Sequence, residues 1–289
     1  MTKLAGSKHL VFRSVWRTVN LLLAVVVVCS LYAGAREYSV RRYLSGFSDA
    51  VVPESASAEQ KVETILEWMR NGPSRYVTAE PSELSARDPE TTLNYSQLLS
   101  VCGTATNAFL NLARSGGLRV RRLLLLSPAL TAKHVVAEVQ IEGRWIIVDP
   151  SYRVMLRDAH GQLLTRDDLR NAAVFSEAIS GVPGYPPEYN YERFAHVRLT
   201  RLPFYGAGAR QMLDKILPGW DESVDWSLLL ERESFLLLTV SLGLTLFFLL
   251  VRAVLAWYAD SRLRIPRFHL REHFLRAMVA FFSTPEIKQ

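Results

Sequence analysis

HVVAEVQIEGRWIIVD, residues 134–149, alternates apolar and polar side chains on both sides of the pair Glu142-Gly143. An x-Gly pair between two alternating runs predicts a two-residue hairpin turn, whose central positions need positive φ. With that turn Ile141 faces Arg144, Val139 faces Ile146 and Val136 faces Asp149. Side chains alternate across a strand, so Val135, Ala137, Val139, Ile141, Ile146 and Val148 share one apolar face. His134, Val136, Glu138, Gln140, Trp145, Ile147 and Asp149 share the other. His134 and Asp149 then become diagonal neighbours, about 7–8 Å apart at the backbone and within side-chain hydrogen-bonding reach. A turn one residue longer would put them on opposite faces. A histidine oriented by a carboxylate meets the requirement for a base that activates a nucleophile.

The nucleophile such a base would serve lies upstream. The chain has two cysteines, Cys29 and Cys102. Cys102 heads a predicted helix over 102–115, with Ala105, Phe109 and Leu112 on one face and Gly116-Gly117 as its stop. A helix N-terminus stabilises a thiolate and lowers its pKa. After the glycines LRVRRLLLL (118–126) reads as a strand, followed by the hairpin. An earlier helix starts at Ser57, where Ser57-x-x-Gln60 makes a capping box ahead of Val62, Ile65, Leu66 and Met69. Gly72-Pro73 ends it. Residues 73–93 carry three prolines and scattered charge and read as a surface loop. Residues 180–205 are rich in Pro, Gly and Tyr. Their Tyr185, Tyr189, Tyr191 and Phe194 are read as cover for the core rather than as the lining of a substrate groove.

Two uncharged runs, Thr18–Ala35 and Ser234–Val251, are about long enough to cross a bilayer as helices. A cleaved leader is the competing reading of the first, with Ala33-Gly34-Ala35 near a processing site, but its apolar stretch is long and a retained anchor is favoured. Lys3, Lys8, Arg13 and Arg17 precede the first run, and Arg252, Arg262, Arg264, Arg267, Arg271 and Arg276 follow the second. Basic flanks mark the cytoplasmic side, so both termini read as cytoplasmic. The intervening 200 or so residues read as extracytoplasmic or periplasmic, on a two-span protein of the cell (inner) membrane. Arg36, Arg41 and Arg42 run against that orientation at the first span. Much of the net charge of +6 lies in the flanks, which points to anionic lipid headgroups and away from nucleic acid. The expected organisation is a cytoplasmic segment (1–17), a span (18–35), a linker (36–57), the exported domain (58–205), a juxtamembrane stem (206–233), a span (234–258) and a basic tail (259–289). Cys102 is then the only exported thiol. An unpaired cysteine in an oxidising compartment is either reactive or well hidden.

CGTATNAFLNLARSGGLRVRRLLLL followed by HVVAEVQIEGRWIIVDPSY resembles the core of the transglutaminase-like superfamily over roughly residues 60–155. There a Cys-Gly opens a helix, a strand begins with His, and a hairpin closes on Asp-Pro-Ser/Thr. The resemblance implies an α+β fold with a papain-like core, a helix packed on an antiparallel sheet, here flanked by two transmembrane helices. It implies Cys102 as nucleophile, His134 as general base and acid, and Asp149 as the orienting carboxylate. Val101 and Val135-Val136 depart from the family pattern, which touches substrate access more than chemistry. The backbone N–H of Cys102 is one natural oxyanion donor, and Gln97 or Tyr95 is a candidate for a second. No His/Cys set stands at metal-ligand spacing, so neither metal nor cofactor is expected. The activity implied is amide cleavage or acyl transfer through an acyl-enzyme, on a protein or peptide substrate or a cell-envelope polymer. The alternative is a catalytically silent binding or scaffold domain with a partner in a membrane complex. The Asn94-Tyr95-Ser96 acceptor pattern is read as chance.

Overall fold

The structure is a computed structural model that describes residues 2–71, 102–197, 212, 215–223 and 225–263. Its contacts divide the chain into two units, Met1–Ser30 with Ser241–Gln289, and Leu31–Val240. Among the described residues two helices are long and apolar enough to cross a membrane, over Leu10–Val51 and Glu233–Leu263. In the first unit their outward side chains, among them Leu21, Val28, Leu246 and Leu250, are exposed. Ser30 and Thr245 meet hydroxyl to hydroxyl at 3.1 Å, and each also bonds the carbonyl four residues back in its own helix. Polar side chains inside an apolar helix pair find such partners in the helix backbone and in one another.

In the second unit the first helix, α1 (Thr2–Val51), runs on well past its apolar stretch. Residues 36–51, expected as part of a linker, are helical. The reason is a stripe at helical spacing: Val40 and Leu44 are buried in the main core, and Phe47 and Val51 pack against it. Ser48 Oγ closes the contact by donating to the Leu112 carbonyl at 3.3 Å. Helix α2 (Ala58–Asn71) begins where the capping box predicts. Ser57 N–H donates to Gln60 Oε1 at 3.0 Å, and Gln60 N–H donates to Ser57 Oγ at 3.3 Å. Its Val62, Ile65, Leu66 and Met69 are all buried.

Helix α3 (Cys102–Ser115) ends on the double glycine. Gly117 takes φ +81°, the Leu118 N–H reaches back to the Ala113 carbonyl at 2.9 Å, and Gly117 N–H bonds Arg114 O at 3.0 Å. This paired geometry satisfies the last helical carbonyls and needs a residue free to adopt positive φ. The chain leaves as β1 (Val120–Leu126), followed by β2 (Ala132–Ile141), β3 (Arg144–Asp149), β4 (Val154–Met155) and, after helix α4 (Ala172–Ser180), β5 (Phe194–Ala195). The sheet is antiparallel in the order β4-β3-β2-β1-β5. Glu142 (φ 50°) and Gly143 (φ 80°) form the hairpin turn, and Ile141 pairs Arg144 while Val139 pairs Ile146. The register is the one the alternation predicts.

The apolar face packs on α2 and α3, with Phe109, Leu112, Ala137, Val139, Ile146 and Val148 in one cluster. The second face is buried too. Val136 and Ile147 join Leu123, Leu125, Leu156, Leu164, Leu169, Phe175, Tyr185 and Tyr191 in a second cluster supplied by residues 156–191. The domain is therefore α+β, with a sheet covered on both sides. Two short helices, α5 (Trp220–Ser223) and α6 (Trp226–Glu231), lead into the long apolar helix α7 (Glu233–Tyr258).

Candidate active site

Asp149 ends β3 and is fully buried. The following Pro-Ser-Tyr folds back so that Ser151 N–H and Tyr152 N–H donate to Asp149 Oδ1 at 3.0 and 3.3 Å. That turn fixes the carboxylate and leaves Oδ2 for His134 Nε2 at 2.6 Å, an imidazole itself 2 % exposed. With Nε2 engaged, the other ring nitrogen faces the Cys102 thiol, with which the imidazole is hydrogen-bonded. Cys102 is half-buried and reachable. The structure thus brings together Cys102, His134 and Asp149 from the head of α3, the start of β2 and the end of β3.

Charge follows from these contacts. The hydrogen bond to His134 draws the Cys102 thiol below its ordinary range, against the opposing effect of burial. The N–H groups of Val135 and Gly103 act in the same direction. Burial alone would lower His134, but the bonds to Asp149 and Cys102 overcome it and push the imidazole up to about 9. The two shifts act together to favour the thiolate–imidazolium form of the pair over the neutral one.

Helix and strand are tied by one further bond. Thr106 Oγ1, one turn below Cys102, donates to the Val135 carbonyl at 2.9 Å, and both groups are buried. Val135 therefore accepts from α3 through its carbonyl and donates to the thiol through its N–H.

An aromatic wall covers the imidazole. Tyr189 stacks flat on His134 at 4.2 Å and 5° between rings, and Tyr152 and Tyr185 present edges at 6.1 and 6.4 Å. Lys133 Nζ donates to Asn190 Oδ1 at 3.1 Å, beside Tyr189. Burial, reinforced by the charge of Asp149, raises the Tyr191 phenol, so that ring stays neutral. Tyr185 and Tyr191 are core residues and Phe194 packs against the same cluster, as the sequence led us to expect. Tyr189 differs, since its ring belongs to the site. Nothing in a Tyr-rich loop distinguishes the ring that stacks flat on His134 from those that cover it edge-on. Thr106 and the Val135 backbone were equally hidden in the sequence, although the spacing of Thr106 from Cys102 does place both on one side of α3. Gln97 and Tyr95 lie outside the described residues, as do Val101 and the Asn94-Tyr95-Ser96 pattern. Among the described residues no group of three or more His, Cys, Asp or Glu is placed to hold a metal ion.

A cysteine-headed helix laid on an antiparallel sheet, with His and Asp on neighbouring strands, defines an α+β domain of papain-like layout. Residues 46–150 match the family model of the transglutaminase-like superfamily, and the chain carries a transglutaminase-like domain over that stretch. The match begins inside α1, earlier than the sequence resemblance near residue 60. No curated protein and no solved structure matches the chain.

Proposed function

We propose that this protein is a membrane-anchored, extracytoplasmic cysteine enzyme that acts on amide bonds through a Cys102–His134–Asp149 triad. The observation that carries the reading is the continuous chain of bonds from Asp149 through His134 to a half-exposed Cys102. The Cys102 thiolate attacks the amide carbonyl carbon and a C–S bond forms. The backbone N–H of Cys102, with a side-chain donor from Gln97 or Tyr95, takes the oxyanion. The C–N bond then breaks, the leaving nitrogen takes the proton from His134, and a thioester remains on Cys102. Water or an amine attacks the thioester and gives its proton to His134, and the thiolate departs. Asp149 holds the imidazole in the tautomer these transfers need and stabilises its charged form. Tyr189, Tyr152 and Tyr185 keep water from the His134–Asp149 bond, which strengthens it.

The two apolar helices would anchor the chain by both ends, with the basic termini on the cytoplasmic side. The substrate proposed is a protein or peptide of the cell envelope. The test is the alkylation rate of Cys102 by iodoacetamide in the full chain. Expected is a rate above that of a small free thiol at neutral pH, lost in His134→Ala. Equal, slow labelling of both proteins would overturn the enzymatic reading in favour of a silent binding domain.

A further inference from the structure

At the far end of α3 from Cys102, the start of β1, Trp145 of β3 and the α5–α6 stem enclose a groove of about 240 Å3. Arg114, Arg119, Arg121, Trp145, Glu222 and Asp225 line it. Arg114 lies twelve positions along the helix from Cys102, about 18 Å at 1.5 Å per residue. The groove is therefore separate from the thiol.

Its charges do not cancel. The Asp225 carboxylate is held by Arg114 Nε at 2.7 Å, and Arg114 Nη2 also donates to Ser227 Oγ at 2.5 Å. Glu222 is held by Arg166 Nη1 at 3.0 Å and faces Arg121 Nη1 at 3.5 Å. The Arg121 guanidinium lies over the Trp145 ring, 4.1 Å from its centroid, with Nε turned inward to Glu138. Arg119 is exposed; its carbonyl accepts from Gln140 N–H at 2.9 Å, while its guanidinium has no hydrogen bond or ion pair among the described residues. Arg114 is thus tied to Asp225, and the buried Arg121 is tied to Glu138 and, through Nη1, to the Glu222 carbonyl at 3.4 Å. This leaves the Arg119 guanidinium as the unengaged positive charge among the described lining residues. A guanidinium without partners, as in Arg119, presents a planar fork that can meet two oxygens of one anion, and Arg121, held in place on the indole, adds fixed positive charge beside it.

We propose that this groove binds a phosphate group, with Arg119 as its principal donor and Arg121, backed by Trp145, as fixed positive charge beside it. Two sources can supply it. One is a phospholipid headgroup: Asp225 stands eight residues before Glu233, where the apolar helix begins, and Trp226 lies between them. Tryptophan favours the membrane interface. The other is a soluble phosphate ester. The lipid source rests on the membrane reading above, whereas the phosphate site itself does not depend on the cysteine chemistry.

The experiment is native mass spectrometry of the full chain in detergent micelles, wild type beside Arg119→Gln and Cys102→Ser. The probes are phosphatidylglycerol, phosphate-free diacylglycerol and glycerol 3-phosphate. Expected is saturable retention of phosphatidylglycerol over diacylglycerol, weakened about tenfold or more by Arg119→Gln, the usual cost of a charged hydrogen bond. Cys102→Ser should bind as wild type does, so a dead triad leaves this result intact. Arg119-dependent binding of glycerol 3-phosphate without lipid retention assigns the groove to soluble esters. Binding equal in Arg119→Gln, equal retention of diacylglycerol, or no binding of either phosphate probe overturns the proposal.

Discussion

One face of the sheet carries two buried histidine–carboxylate pairs, and they do different things. At one end His134 Nε2 meets Asp149 Oδ2 at 2.6 Å; at the other His196 Nε2 meets Glu138 Oε2 at 2.8 Å. Both carboxylates are almost fully buried. Around the first, the imidazole's second nitrogen is given to a thiol, and the carboxylate's second oxygen is held by backbone N–H groups. Around the second, the carboxylate is shared with Arg121, and His196 Nδ1 stands 4.0 Å from Asp221. Arg121 and His196 hold the Glu138 carboxyl below its usual range against burial, and the charge is spent on structure. A buried His–carboxylate pair is thus not a site in itself. The group facing the imidazole's other side decides.

The comparison breaks most sharply if the two carboxylates are neutralised in turn. Asp149→Asn should slow acylation of Cys102 by p-nitrophenyl acetate by about two to four orders of magnitude, because the imidazole is left in the wrong tautomer. Cys102→Ala should abolish the burst altogether. Glu138→Gln should leave the burst within about threefold of wild type but cost roughly 3 kcal/mol of stability in chemical denaturation, since it strands the Arg121 charge. Equal loss of acylation in Asp149→Asn and Glu138→Gln would erase the distinction.

The protonation of the first pair sets the next effect. His134 is raised from its ordinary 6.5 to about 9 in the folded protein. Its contribution to stability is therefore complete below about pH 6.5 and is lost as pH rises through 9. The melting temperature of wild type relative to His134→Gln should fall across that window. The thiol gives the matching kinetic signature. The alkylation midpoint of Cys102 should lie below 9 in wild type and move upward in His134→Ala, where burial remains without its partner.

Much of this face was legible in the sequence, because a strand's period of two leaves little freedom once the turn is known. Glu142-Gly143 set the register, and with it the His134–Asp149 contact. The Gly116-Gly117 stop and the Ser57/Gln60 box were local signals that local geometry satisfied. Long-range cover was not legible. Val136 and Ile147 sit among polar neighbours in the alternating pattern, which does not announce a second cluster built from residues 156–191. Residues 36–51 read as a connection because Arg41, Arg42 and three serines mask the stripe of Val40, Leu44, Phe47 and Val51. His196 and Tyr189, equally ordinary in sequence, take opposite roles only because of what they meet.

The smallest expected effect probes what keeps the first pair aligned with its thiol. Thr106 lends its hydroxyl to the Val135 carbonyl, and the Val135 N–H turns toward Cys102. Thr106→Val keeps the shape but leaves that carbonyl buried without its partner, at a cost of about 1–2 kcal/mol. If the bond only stabilised the helix on the sheet, denaturation would register the loss and the alkylation midpoint of Cys102 would not move. If it also aims the Val135 N–H at sulfur, the midpoint should rise and the acylation burst slow by less than about tenfold, both restored by Thr106→Ser. An unmoved midpoint in a destabilised Thr106→Val protein would confine Thr106 to packing and leave the placement of the thiol to the turn of α3 alone.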